Sequence, residues 1–268
     1  MERLPYPVES AIEALSGIEH LVLVDATEPV AFFAYPGKPG LLHPPDAVVH
    51  VLARPQEDVA GALAMLAELV GAPAPLPAGT AVTAQIARGA ITPHAVASTL
   101  AAVLPEDAIV VDESLTFGFP FFPGTKDAAP HDWLQLTGGA IGDGLPLSTG
   151  AAVASPGRRV VNLQADGSAL YTVQALWTQA RERLDVTTVI LSNRAYAILV
   201  AEMTNVGASP GKTAQDMFHL GNPDLDWVRL AQGFGVEAGR ADTMESFADL
   251  FRTANSHVGP FLIELVLP

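Results

Sequence analysis

From residue 92 to residue 268, runs of apolar strand-forming residues alternate with stretches of helical period, and this order constrains the fold more than any other feature of the chain. Val, Ile and Leu crowd into AIVVDES (108–114), RRVVNLQADG (158–167), VTTVILSN (186–193) and PFLIELVLP (260–268). Nearly continuous apolar runs of this length belong to strands buried on both faces, as in parallel sheets. TPHAVASTLAAVLP (92–105), SALYTVQALWTQARERL (168–184), DLDWVRLAQGFG (224–235) and TMESFADLFRTANS (243–256) read as helices. Thr92 is suited to cap the first of these, with Pro93 at its first position. WLQLTGGAIGDGLPLSTGAAVAS (133–155) runs strand, Gly-rich loop, helix. The alternation predicts an α/β fold, a mostly parallel doubly wound sheet with helices on both faces.

The first 71 residues are sparser. HLVLVDA (20–26) and AVVHVLA (47–53) read as strands and DVAGALAMLAELVG (58–71) as a helix with a Gly stop. Two strands are thin support for an independent doubly wound domain. The reading is therefore a partial α/β domain over 1–71, a Pro- and Ala-rich linker over 72–89, and a second domain over 90–268.

Composition narrows the chemistry. Of 268 residues 49% are hydrophobic and 16% charged, which fits a large buried core. The absence of cysteine excludes disulfides and thiolate metal centres. A formal net charge of −15 argues against nucleic acid, whose phosphates need basic patches. No apolar run is long enough to span a membrane. The start, MERLPYPVES, has no apolar signal core, so the expected location is cytoplasmic. The seven histidines show no ligand spacing. A phosphate bound by so acidic a chain would have to be met by backbone N–H groups or by a metal ion.

In an open parallel sheet, ligands sit at the carboxyl ends of the strands. Asp112-Glu113-Ser114, the loop from Thr137 to Gly142, and Ala165-Asp166-Gly167-Ser168 all leave strands there. Asn193 ends the next strand, which a crossover helix returns parallel to its predecessor. Asp166 and Asn193 are then expected at the same height on neighbouring strands. Both offer hard oxygen donors, suited to Mg²⁺, which keeps few protein ligands and fills its octahedron with water and phosphate oxygens. Gly167 and Ser168 open a helix, where free N–H groups point at an anion. Taken alone, Asp166-Gly167-Ser168 reads equally as a capped turn, Gly138, Gly139 and Gly142 as what a tight loop needs, and Ile141 as core.

The segment QADGSALYTVQALWTQARERLDVTTVILSNRAY (164–196) resembles the cofactor-binding motif of thiamine-diphosphate-dependent enzymes, which begins Gly-Asp-Gly and ends Asn-Asn about thirty residues later. Residues 90–268 are similar in order to the acetolactate synthase and benzoylformate decarboxylase branch, and residues 1–71 to the later part of that family's middle domain. The resemblance implies thiamine diphosphate and Mg²⁺ as cofactors and a 2-oxo acid as substrate, for decarboxylation or carboligation. It matches Asp166 and Asn193 to the side-chain metal ligands and Ala195 to a ligand acting through its carbonyl. Gly167 and Ser168 match the diphosphate turn, with Tyr171 and Tyr196 lining that side and Glu113 and Ser114 in the loop that reaches the diphosphate. Gly139 matches the carbonyl that receives the 4′-amino group, and Ile141 the residue that bends the cofactor. Ala165 and Ser192 depart from the motif at positions that are not metal ligands.

The resemblance also implies a partner. The family places a Glu on a pyrimidine-binding domain, to which no part of these residues corresponds. A pyrimidine-domain chain or segment and a homo- or hetero-oligomer are therefore expected, and a non-catalytic binding or assembly subunit is the rival reading. FAD is not supported by so small a part of the middle domain. A nicotinamide dehydrogenase lacks its Gly-x-Gly-x-x-Gly after the first strand. The stretch after Asn193, YAILVAEMTNVGASPGKTAQDMF (196–218), reads as facing the substrate, and within it Ile198, Leu199 and Met203 read equally as an apolar substrate pocket and as core.

Overall fold

The computed structural model describes residues 3–73, 84–209 and 211–268. They belong to two compact units, Met1–Ala78 and Gly79–Pro268.

The first unit holds α1 (Val8–Ala14), β1 (His20–Val24), β2 (Val48–Ala53) and α2 (Val59–Leu69). The two strands pair in parallel, and Asp58 caps α2 by accepting from the Gly61 N–H at 2.9 Å. Its core is small: Val8, Ala11 and Leu42 are its buried apolar cluster. No residue of α2 is buried, and Met65, Leu69, Val22 and Val48 are all at least half exposed. Uncovered apolar surface of this kind favours association.

The second unit holds α3 (Pro93–Val103), β3 (Ala108–Glu113), α4 (Phe121–Gly124), β4 (His131–Gln135), α5 (Gly144–Ala154) and β5 (Val160–Ala165). There follow α6 (Asp166–Ala169), α7 (Ala175–Arg181), β6 (Val186–Ser192), α8 (Ala197–Asn205) and α9 (Lys212–Phe218). The chain closes with α10 (Trp227–Gly233), β7 (Glu237–Ala241), α11 (Met244–Ser256) and β8 (Phe261–Val266). Six strands form one sheet in the order β4-β3-β5-β6-β8-β7, and every pair is parallel. This is the architecture the alternating pattern predicts.

Both faces of the sheet are packed. Because side chains alternate along a strand, Val189, Leu191, Ile263 and Leu265 meet Leu100 of α3 and Phe247 and Phe251 of α11 on one side. Ile190 and Leu262 meet Leu145 of α5, Leu176 of α7 and Trp227 of α10 on the other. Thr92 caps α3 as expected, accepting from the Ala95 N–H at 3.2 Å.

The structure departs from the sequence reading within 168–184 and in an added edge strand. Residues 168–184 are not one helix: α6 ends at Ala169, and tight i to i+3 bonds such as Thr172 N–H to Ala169 O carry the chain to α7. Thr172 leaves the helical path to donate its hydroxyl to the Gly142 carbonyl at 2.7 Å. Strand β7, EAGRA, was not anticipated, because an edge strand of small and charged residues lacks an apolar run. Of the stretch read as a linker, residues 74–83 lie outside the described residues. Its end is fastened to the second unit: Ala87 N–H donates to Thr99 Oγ1 and Gly89 N–H to the Glu245 carboxylate.

Candidate functional site

The chain runs from β3 outward to β4, then crosses back to β5 on the other side of β3. The loops leaving β3 and β5 diverge at this reversal and open a crevice at the carboxyl edge, where open α/β sheets bind ligands. Ala165 pairs with Leu191, so Asp166 and Asn193 leave neighbouring strands within a residue of the same height. A cavity of about 340 Å³ lies there. Eight of the residues singled out from the sequence line it: Ser114, Ile141, Gly167, Ser168, Tyr171, Asn193, Ala195 and Tyr196. Ile198 and Leu199 line it too, whereas Met203 does not.

Asp166 sits behind the Gly167 turn, 1% exposed. Its Oδ1 accepts from the Gly167 N–H at 2.8 Å and its Oδ2 from the Arg194 N–H at 2.6 Å. Arg194 takes φ +57° to deliver that bond, a backbone conformation uncommon outside glycine. The Asn193 Oδ1 accepts from the Ala195 N–H at 2.9 Å. The Ala195 carbonyl accepts no backbone hydrogen bond among the described residues. A carboxylate offers about four lone pairs and these bonds use two, so one carboxylate, one amide oxygen and one carbonyl remain as hard donors on two adjoining loops. No three His, Cys, Asp or Glu side chains gather as a metal-binding group among the described residues. The donor chemistry thus fits an oxygen-seeking cation with most of its sphere left to other ligands.

Burial is the main cause that pushes the Asp166 carboxyl up from 3.8 to about 6, against backbone N–H groups of Arg194, Gly167 and Asn193 that favour its ionised form. A raised acid makes ionisation a cost to folding. That cost is absent below 3.8 and fully present above about 6, where the folded side chain has lost its proton. The cation-free protein is expected to lose stability relative to Asp166→Ala as pH rises through this window, by at most ~3 kcal/mol. Denaturant unfolding of both proteins on either side of the window checks the slope. The Tyr196 phenol is also held above its ordinary value, first by burial and then by Tyr171 and Asp166, which keeps it a hydrogen-bond donor.

The Gly-rich loop is shaped by backbone freedom. Gly138, Gly139 and Gly142 have φ of +60°, +70° and +93°, a region that side chains disfavour. The Gly139 carbonyl accepts from the Ile141 N–H at 2.9 Å, and the Ile141 side chain stands 41% exposed at the cavity. Gly139, Asp166 and Glu113 are not among the lining residues. Glu113 is 1% exposed, and its carboxylate accepts from Gly142 N–H at 2.6 Å, Gly144 N–H at 2.7 Å and Gln164 Nε2 at 2.8 Å.

Sequence reasoning missed Phe117, which lines the cavity together with Met217 and Phe218, the two residues that end the 196–218 stretch. The last two arrive from a distance. Ala195 and His219 form an antiparallel bridge, flanked by Tyr196 N–H to Phe218 O and Leu220 N–H to Arg194 O. No periodic pattern announces such a closure. Gln164 was missed as well, although two amides, Asn162 and Gln164, alternating in an otherwise apolar strand were a usable signal.

Residues 124–265, more than half of the chain, match the family profile described as the thiamine pyrophosphate enzyme C-terminal TPP-binding domain. The chain is 50% identical over 270 residues to a Mycobacterium tuberculosis protein named "Putative acetolactate synthase large subunit IlvX", a match covering 100% of this chain and 52% of that protein. It is 34% identical over 179 residues to benzoylformate decarboxylase of Pseudomonas aeruginosa, covering 66% of this chain and 32% of that one. Among solved structures, a thiamine diphosphate-dependent 4-hydroxybenzoylformate decarboxylase from Rhodococcus jostii superposes with a TM-score of 0.73 at 27% identity, covering 98% of this chain and 51% of that one. The chain thus spans about half the length of the Mycobacterium tuberculosis and Rhodococcus jostii proteins. No helix among the described residues is long and apolar enough to cross a membrane. By the profile, the chain belongs to the thiamine pyrophosphate enzymes, through their C-terminal TPP-binding domain.

Proposed function

We propose that this chain supplies the diphosphate- and Mg²⁺-binding half of a thiamine-diphosphate-dependent site for 2-oxo acids, and that a pyrimidine-binding segment from another domain or subunit completes it. The observation that carries the reading is the placement of Asp166 and Asn193 on adjoining strand ends, with Gly167, Ser168 and Asn193 lining one cavity. Asp166, Asn193 and the Ala195 carbonyl would hold the cation. The Gly167 and Ser168 turn, with Ser114, Tyr171 and Tyr196, would receive the diphosphate. The Gly139 carbonyl and Ile141 would set the orientation of the aminopyrimidine. When bound, thiamine diphosphate supplies the sink for the electron pair left by cleavage of a 2-oxo acid. Phe117, Ile198, Leu199, Met217 and Phe218 make the neighbouring wall apolar, which excludes water from that step.

Coverage of about half of the relatives supports the requirement for a second polypeptide segment. The test is titration calorimetry of the purified chain with thiamine diphosphate, with and without Mg²⁺. Saturable binding that disappears on chelation is expected. Binding indifferent to Mg²⁺, or none at all, would sink the reading. Turnover of 2-oxo acids by this chain without any partner would refute the requirement for a second segment.

A further inference from the structure

Glu113 is a buried acid that lies outside the cavity, and it is held entirely by donors. Gly142 N–H, Gly144 N–H and Gln164 Nε2 converge on its two oxygens at 2.6, 2.7 and 2.8 Å. No ion pair involves it among the described residues. Backbone N–H groups can only donate, and the Gln164 oxygen is turned toward the Asn162 Nδ2 at 3.4 Å. The three partners therefore demand a group that accepts at both oxygens. Gly144 is the first residue of α5, so the carboxylate also faces a helix N-terminus.

The same Gln164 Nε2 donates to the Ser168 Oγ at 2.6 Å. One amide thus joins the acid that grips the Gly-rich loop to the hydroxyl of the turn after β5. Space is as tight as the bonding. A side chain on Gly144 would strike the Gln164 Oε1 and come within 2.9 Å of the Glu113 Oε2, and one on Gly142 would come within 2.6 Å of the Tyr171 Cβ. Gly142 is fastened a second time, through its carbonyl, by the Thr172 hydroxyl at 2.7 Å.

We infer that Glu113 is a positioning residue. Its carboxylate fixes the 138–144 loop at the height of the Asp166–Ser168 turn, so that the Gly139 carbonyl and Ile141 meet the organic part of the cofactor, not its phosphates. The inference rests on the functional reading above. It assigns to Glu113 an indirect role through the loop in place of the diphosphate contact expected from the sequence.

The test uses the full chain and compares Glu113→Gln with the unsubstituted protein. The amide leaves one oxygen where three donors need two and sets its own N–H against one of them. Thiamine diphosphate with Mg²⁺ is expected to bind at least about tenfold more weakly, while Mg²⁺ with inorganic pyrophosphate changes by less than about twofold. Hydrogen exchange is expected to quicken in 138–144 and to stay slow in β5 and β6. Equal affinity for thiamine diphosphate, a matching loss for both ligands, or unaltered exchange in the loop would each overturn the inference. If Glu113→Gln does not fold, Thr172→Val removes the second fastening of Gly142 and is expected to show the same split between ligands, at about threefold; no split there also overturns it. Failure of the unsubstituted chain to bind thiamine diphosphate defeats the functional reading and this inference together, which sets that result apart from unchanged binding in the variants.

Discussion

Replacing Asp166 by alanine is expected to abolish Mg²⁺-dependent binding of thiamine diphosphate while leaving the sheet intact. Asp166 is the only carboxylate of the proposed donor set, and the other two members, the Asn193 amide and the Ala195 carbonyl, are neutral. Loss of the one formal negative charge removes most of the attraction for a divalent ion in a buried setting. The fold has little reason to object. The ionised side chain is held against a burial penalty that raises its acid to about 6, so its removal relieves a cost. The variant should therefore unfold no earlier than the parent above that pH. Calorimetry supplies the binding arm and denaturant midpoints the stability arm. Retained Mg²⁺-dependent affinity would remove Asp166 from the metal site.

Phe247→Ala is expected to have the largest effect on stability, ~3–5 kcal/mol in the second unit. Phe247 is fully buried on α11 and packs edge-on against Phe251, with ring centroids 5.8 Å apart. Both rings belong to the cluster that covers one face of β6 and β8, two interior strands held by neighbours on both sides and so with little room to collapse onto the void. The α11 cap, a Thr243–Ser246 capping box, holds the helix in register and prevents it from sliding to fill the space. The two units need not unfold together, so the midpoint should be followed by a probe of the second one, such as Trp227 fluorescence. A loss below ~1 kcal/mol would show that the core repacks around the hole.

What could be read from the sequence divides along physical lines. The parallel sheet was legible because strands buried on both faces write themselves as unbroken apolar runs. The shared height of Asp166 and Asn193 at adjoining strand ends was legible because a helical crossover returns neighbouring parallel strands in step. The interrupted path from Ser168 to Leu184 was not, because its helical period is intact and only the tertiary bond from Thr172 to Gly142 breaks it. Strand β7 gave no signal because it earns its pairing from β8 alone, as an edge. Glu113 was placed by resemblance alone, in the loop that reaches the diphosphate. Its hydrogen bonds come from the Gln164 amide and from backbone N–H groups of a loop some thirty residues on, and no residue type marks the latter in advance.

The pinch between Ala195 and His219 has a consequence for how such a chain can change over time. It closes off residues 196–218 as a self-contained excursion whose two ends are secured to each other. Helices α8 and α9 within it bury no residues, yet Ile198, Leu199, Met217 and Phe218 face the cavity. Exchange of side chains there would alter what the pocket admits at little thermodynamic risk to the sheet. Innovation in selectivity is thereby uncoupled from the strand ends proposed to hold the cation, and the excursion is a cassette where drift is cheap and its effects are chemical.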